Sequence, residues 1–175
     1  MRIILDFLSK FWLRRSKMGL LALLLALPVI SSARGTGTAV DLQLVLAIDA
    51  SNSVTDDRFD LQKQGYAAAF RNPQVVKAIM SGSEQSIAVT MVQWTGPFDQ
   101  VQVMPWTIAK DAASASSLAD AIAQTRRELW GGSGTSISGA IDNGVALLSK
   151  SPYQSQRRTI DISGDGPNSS GRSVI

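Results

Sequence analysis

The chain contains no cysteine and no histidine in 175 residues. Without cysteine there is no disulfide, thiol nucleophile, zinc knuckle or iron–sulfur site. Without histidine there is no Ser–His–Asp triad, HExxH zinc site or imidazole proton shuttle. Hydrophobic residues make up 45% of the chain, which excludes wholesale disorder and allows a core. Chemistry is left to carboxylates, hydroxyls, amides, Lys, Arg, or a hard cation held by oxygen.

A formal charge of +3 and a pI near 9.5 point at first to nucleic acid or a membrane surface. The placement of the charge removes that reading. Arg2, Lys10, Arg14, Arg15 and Lys17 crowd the first 17 residues, against Asp6 alone. An uncharged run of 13 residues follows, Met18 to Ile30 (MGLLALLLALPVI), and then Ser31-Ser32-Ala33. A basic region, a short apolar run and small residues at its exit make a signal peptide over 1–33. The run falls short of the roughly 20 residues that a spanning helix needs, and an uncleaved anchor is the alternative reading. The expectation is a periplasmic or secreted protein with no stable membrane span after cleavage. Five of the 17 basic residues and one of the 14 acidic residues lie in 1–33, so 34–175 carries 12 against 13. That remainder has no dense basic stripe with interleaved aromatics, and nucleic-acid binding loses its support.

One domain is expected over 41–175, after a flexible lead-in over 34–40 (RGTGTAV). Asp41 to Ile48 (DLQLVLAI) reads as a buried strand. Asp56 to Phe70 reads as a helix, with Phe59, Tyr66 and Phe70 on one face. Ser86 to Trp94 is a second strand, broken by Gly96-Pro97, and Val101 to Trp106 is its hairpin partner. Ala112 to Leu129 reads as a helix with Leu118, Ile122 and Leu129 on its apolar side. Gly131 to Gly134 is a glycine-rich loop. Ser136 to Leu148 reads as a helix with Ile137, Ile141, Gly144 and Leu148 on one face, and Arg157 to Ile162 as a last strand. Trp94, Trp106 and Trp130 are expected in the packing. Strands alternating with helices predict a doubly wound α/β fold, with a mostly parallel sheet and helices on both faces.

Ligand sites in such folds lie beyond the carboxyl ends of the strands. Three polar clusters fall there. Asp49-Ala50-Ser51-Asn52-Ser53 follows the first strand, Thr135 stands in GGSGTS before a helix, and Asp165 stands in GDGPN after the last strand. Together Asp49, Ser51, Ser53, Thr135 and Asp165 offer two carboxylates and three hydroxyls. Short oxygen ligands with little charge suit Mg²⁺, with Mn²⁺ or Ca²⁺ as alternatives.

DASNS, GTS and GDG together resemble the three loops of the metal-ion-dependent adhesion site of the von Willebrand factor type A (VWA) family. The stretch from LVLAIDASNSV to DISGDGPNSSG further resembles a group of exported bacterial VWA-like proteins of unassigned function. The resemblance runs from about Asp41 to Asn168. It implies an ion held by Asp49, Ser51, Ser53, Thr135 and Asp165, with the serines and threonine as direct ligands and the aspartates acting partly through water. It also implies an open position for an acidic group of a protein partner, and hence a binding module in place of an enzyme. Asn52, Asn168 and Ser169 would at most support these loops. VWA sheets have six strands in the order 3-2-1-4-5-6, of which four are legible here. The resemblance therefore implies a domain short of its C-terminal strands, with the fourth strand as an exposed edge.

Two other readings compete. A phosphatase of haloacid-dehalogenase type also places an Asp after an apolar strand, but needs a second Asp two positions on. Ser51 stands there, and a serine hydroxyl is too weak an acid for that proton transfer. A VWA-like scaffold without an ion is the other alternative.

Overall fold

In the computed structural model, residues 37–129 and 134–174 are described. The expected signal peptide (1–33), the start of the lead-in, Trp130 and residues 131–133 of the glycine-rich loop lie outside the described residues. So does Ile175.

The elements run in the order β1 (Thr38–Ala39), β2 (Leu42–Asp49), α1 (Asp56–Arg71), α2 (Pro73–Ile79), β3 (Ile87–Trp94) and β4 (Gln100–Ala109). Then come α3 (Ala112–Gln124), α4 (Ile137–Ser149), β5 (Tyr153–Gln154) and β6 (Arg158–Ser163). The main sheet has the order β4-β3-β2-β6. Strand β2 runs parallel to both neighbours, with Asp49 opposite Trp94 and Ile48 opposite Ser163. The β3–β4 pair is an antiparallel hairpin, with its ladder irregular around Met91. Counting main-sheet strands along the chain, the order is 3-2-1-4, as the VWA resemblance implies. No partner strand covers the outer edge of β6 among the described residues, and Arg158, Thr159 and Asp161 on it are exposed.

Burial follows the two-residue period of β2. Leu46 and Ile48 face a cluster built with Phe59, Ala67 and Phe70 of α1 and Leu118 and Ile122 of α3. Val45 and Ala47 face the opposite way, against Trp94, Ala140 and the inner side of α4. Helices therefore cover both faces, and β2 is buried because each face of it meets a helical layer.

Local chemistry fixes the helix starts. The Thr55 side chain caps α1, with Asp56 and Asp57 in its first turn and Arg71 in its last, as the helix dipole favours. A capping box of Asp111 and Ser114 starts α3, and Ser136 caps α4.

Four expectations need correction. Thr38–Ala39, placed in a flexible lead-in, pairs with β5, and Val40 is buried. The helix expected to reach Leu129 stops at Gln124, and beyond it the Gln93 side chain accepts the N–H groups of Glu128 and Leu129, tying that stretch to β3 in place of further helical bonds. Ile141 is 37% exposed while Ala140 and Leu147 pack against the sheet, because residue 141 lies at the edge of the helical stripe. Helix α2 was not expected, although Asn72 as N-cap and Pro73 in the first turn are a legible start signal.

Gly144 sits where α4 meets β6. A Cβ there would lie 2.7 Å from Cδ1 of Ile160. Gly144→Val should overpack this contact and cost about 1–3 kcal/mol, read from the urea unfolding midpoint.

Asp41 ties the turn before β3. It accepts hydrogen bonds from the Glu84 N–H and the Ser83 hydroxyl, which hold its carboxyl below the ordinary value of 3.8. The stabilisation is therefore complete above pH 3.8 and is lost as the pH falls through the lower folded value. Asp41→Asn should lower the unfolding midpoint at pH 7, and the gap from the unaltered protein should close in acid. Parallel denaturation curves at the two pH values check it.

Candidate functional site

All three sequence clusters meet at the carboxyl ends of β2 and β6. Strand β2 ends at Asp49, which is fully buried. Its Oδ1 accepts the N–H of Ser51 at 2.8 Å, folding the following loop into a tight turn. Ser51 Oγ lies 3.1 Å from Ser53 Oγ and 3.4 Å from the donating Thr135 Oγ1. Ser53 Oγ in turn donates to Asp165 Oδ1 at 3.0 Å. Ser51, Ser53, Thr135 and Asp165 thus form one chain of oxygens, which Asp49 joins through the Ser51 N–H, although Thr135 and Asp165 lie far along the sequence from Asp49.

The exception is the second oxygen of Asp49. Oδ2 is buried and accepts no hydrogen bond among the described residues. The neighbouring Trp94 Nε1 is likewise buried without an acceptor. Gly164 leaves the room: a Cβ there would stand 3.0 Å from Oδ2 and 3.3 Å from Cζ2 of Trp94. Burial pushes the Asp49 carboxyl above the usual carboxylate range, opposed by the hydrogen bonds from Ser51. The charge of Asp165 pushes the same way. The Asp165 backbone N–H offsets part of this, without reaching hydrogen-bond geometry to Oδ2.

The loops carrying these groups are cross-tied. The Thr135 N–H donates to Ser169 Oγ at 2.9 Å, and its carbonyl accepts the Ser169 N–H at 2.8 Å. Asn168 Oδ1 accepts the Ser138 N–H at 3.4 Å. Asn168 and Ser169 are therefore the loop supports that the sequence suggested. Asn52 is exposed and takes no such part.

Three residues that sequence reasoning missed hold the loops around the site. Arg127 donates from NH2 to the carbonyls of Ala50 and Ser51 at 2.9 and 2.8 Å, and from NH1 to Asp56 at 3.0 Å. Gln62 bridges two strand ends, donating to the Asp49 carbonyl and accepting from the Ser163 hydroxyl. Arg58 pairs with Asp165 at 2.7 Å. Arg58 and Gln62 lie one turn apart on α1, so a face of that helix carried a weak signal. Arg127 sat in a stretch read as helix, where nothing marked it.

Residues 39–175 match the family model described as Protein of unknown function (DUF1194). The chain belongs to this family. No curated protein matches the DUF1194 chain in sequence. Among solved structures it is similar to the vWF domain of the type V pili tip protein Mfa5 from Porphyromonas gingivalis. That pair is 16% identical with a TM-score of 0.47, covering 74% of this chain and 39% of that one. It is also similar to a conserved hypothetical protein, BatB, from Bacteroides thetaiotaomicron. There the identity is 21% and the TM-score 0.43, with 68% and 52% covered. The chain thus spans well under two thirds of either structure. Among the described residues of the DUF1194 chain, no helix is long and apolar enough to cross a membrane. No three carboxylates converge among the described residues, so hydroxyls and water would supply most of any ion's ligands here.

Arg127→Met should free the first loop while keeping the side-chain stem. The charged hydrogen bonds to two loop carbonyls are worth about 1.5–3 kcal/mol each, before the cost of leaving those carbonyls unpaired. The expected outcome is a lower unfolding midpoint, with faster amide exchange from Ser51 to Val54.

Proposed function

We propose that the chain is an exported, non-catalytic binding module of VWA type. In this reading Asp49, Ser51, Ser53, Thr135 and Asp165 hold a divalent ion, Mg²⁺ or alternatively Mn²⁺ or Ca²⁺. The ion then grips a carboxylate of a protein partner. The observation that carries the proposal is Asp49 Oδ2, a buried carboxylate oxygen with no partner among the described residues. An unpaired buried charge is costly, and a hard cation is the ligand that best relieves it. The hydroxyls of Ser51, Ser53 and Thr135 supply further neutral oxygens, and Asp165 brings the second negative charge. A bound ion would supply positive charge to this pair of carboxylates and an attachment point for an anionic group. An ion-free scaffold has no counterpart for Oδ2. The phosphatase alternative fails on Ser51, whose hydroxyl is engaged with Ser53 and Thr135 where a second carboxyl group is required.

The test is thermal unfolding with and without Mg²⁺. Saturation at 100 times the dissociation constant should stabilise the unaltered protein by about 2.7 kcal/mol. Asp49→Asn keeps an acceptor for Ser51 but removes the charge, and should abolish the response without lowering stability in the absence of ion. Equal Mg²⁺ responses in the two proteins would refute the site.

A further inference from the structure

Arg58 stands at the mouth of the cluster and belongs to none of the three loops. It lies in the first turn of α1, its N–H donating to the Thr55 cap at 3.4 Å. That fixes its backbone beside the site. Its NH1 donates to Asp165 Oδ2 at 2.7 Å, and the two side chains are 62% and 22% exposed. The other oxygen of Asp165 accepts from Ser53. The two carboxylates are therefore treated in opposite ways. Asp165 is satisfied at both oxygens and neutralised by a cation of the chain itself, whereas Asp49 keeps a buried oxygen with no partner.

We propose that Arg58 is a tethered rival of the divalent ion for Asp165. The inference rests on the ion-binding reading above. While no ion is bound, the guanidinium neutralises Asp165 and limits its repulsion of Asp49. When an ion binds, Arg58 must release Asp165, and the loss of that pair weakens binding. Arg58 thus sets the ion affinity without serving as a ligand. Its pair with Asp165 is partly exposed, so its influence is modest and falls with salt.

The test is calorimetric titration with MgCl₂ at low ionic strength, using the unaltered protein, Arg58→Gln, Asp165→Asn and the double variant. Arg58→Gln should bind Mg²⁺ about two- to fivefold tighter, the range of an exposed ion pair. In the Asp165→Asn background the same change should have no effect, because the rivalry acts through that carboxylate. Where Asp165→Asn binds too weakly for calorimetry, the rise in unfolding midpoint at high Mg²⁺ replaces it. Unchanged or weaker affinity in Arg58→Gln overturns the inference while leaving the ion site standing. An equal gain in both backgrounds overturns it too, because Arg58 would then act only as a distant charge. If none of the four proteins binds Mg²⁺, Mn²⁺ or Ca²⁺, the ion-binding reading falls and this inference falls with it. As a second readout, the guanidinium ¹⁵N signal of Arg58 should move on Mg²⁺ saturation, and a signal that stays in place counts against the rivalry.

Discussion

Asp49 is the last residue of a strand paired along both edges and covered on both faces. Its carboxylate is therefore withdrawn from water, and only one of its oxygens finds a donor within hydrogen-bond geometry. Desolvating a carboxylate is expensive, so the surroundings must either neutralise it or leave room for something that does. The first loop folds around Oδ1, Gly164 keeps clear of Oδ2, and Thr135 and Asp165 are held within reach by cross-ties between their loops. Much of the upper end of the sheet can be understood as an accommodation of that one buried charge.

The accommodation relies on cations placed outside the oxygen cluster. Arg127 grips the backbone of the first loop, donating to two of its carbonyls and to Asp56. Arg58 neutralises the outer carboxylate and leaves the inner one alone. One arginine fixes geometry and the other balances charge. The hydroxyls between them provide oxygen without adding negative charge, which keeps two carboxylates tolerable in one small space.

Membership of the DUF1194 family and a sheet ordered 3-2-1-4 fix what kind of molecule this is. They do not fix a function, which has to be argued from the residues gathered at the strand ends and not from the fold.

Much of this was legible in the sequence. The absence of Cys and His, the apolar run LVLAI, the alternation in SIAVTMVQW and the order of the three polar clusters determined the α/β class and the candidate residues. These signals are local, or depend only on sequence order, so they survive without coordinates. The end of α3 at Gln124, the pairing of Thr38–Ala39 and the roles of Arg58, Gln62 and Arg127 were decided by tertiary structure alone. Each depends on a partner distant in sequence: Gln93 for the stretch after α3, β5 for β1, Asp165 for Arg58. A helix period or a turn residue reports on its near neighbours, whereas a side chain that reaches across the fold leaves no periodic trace. The unpartnered oxygen of Asp49 is the extreme case. Aspartate at the end of a strand is plain in the sequence, but whether both its oxygens are satisfied is settled only when β3, β6 and the Gly164 turn close around it.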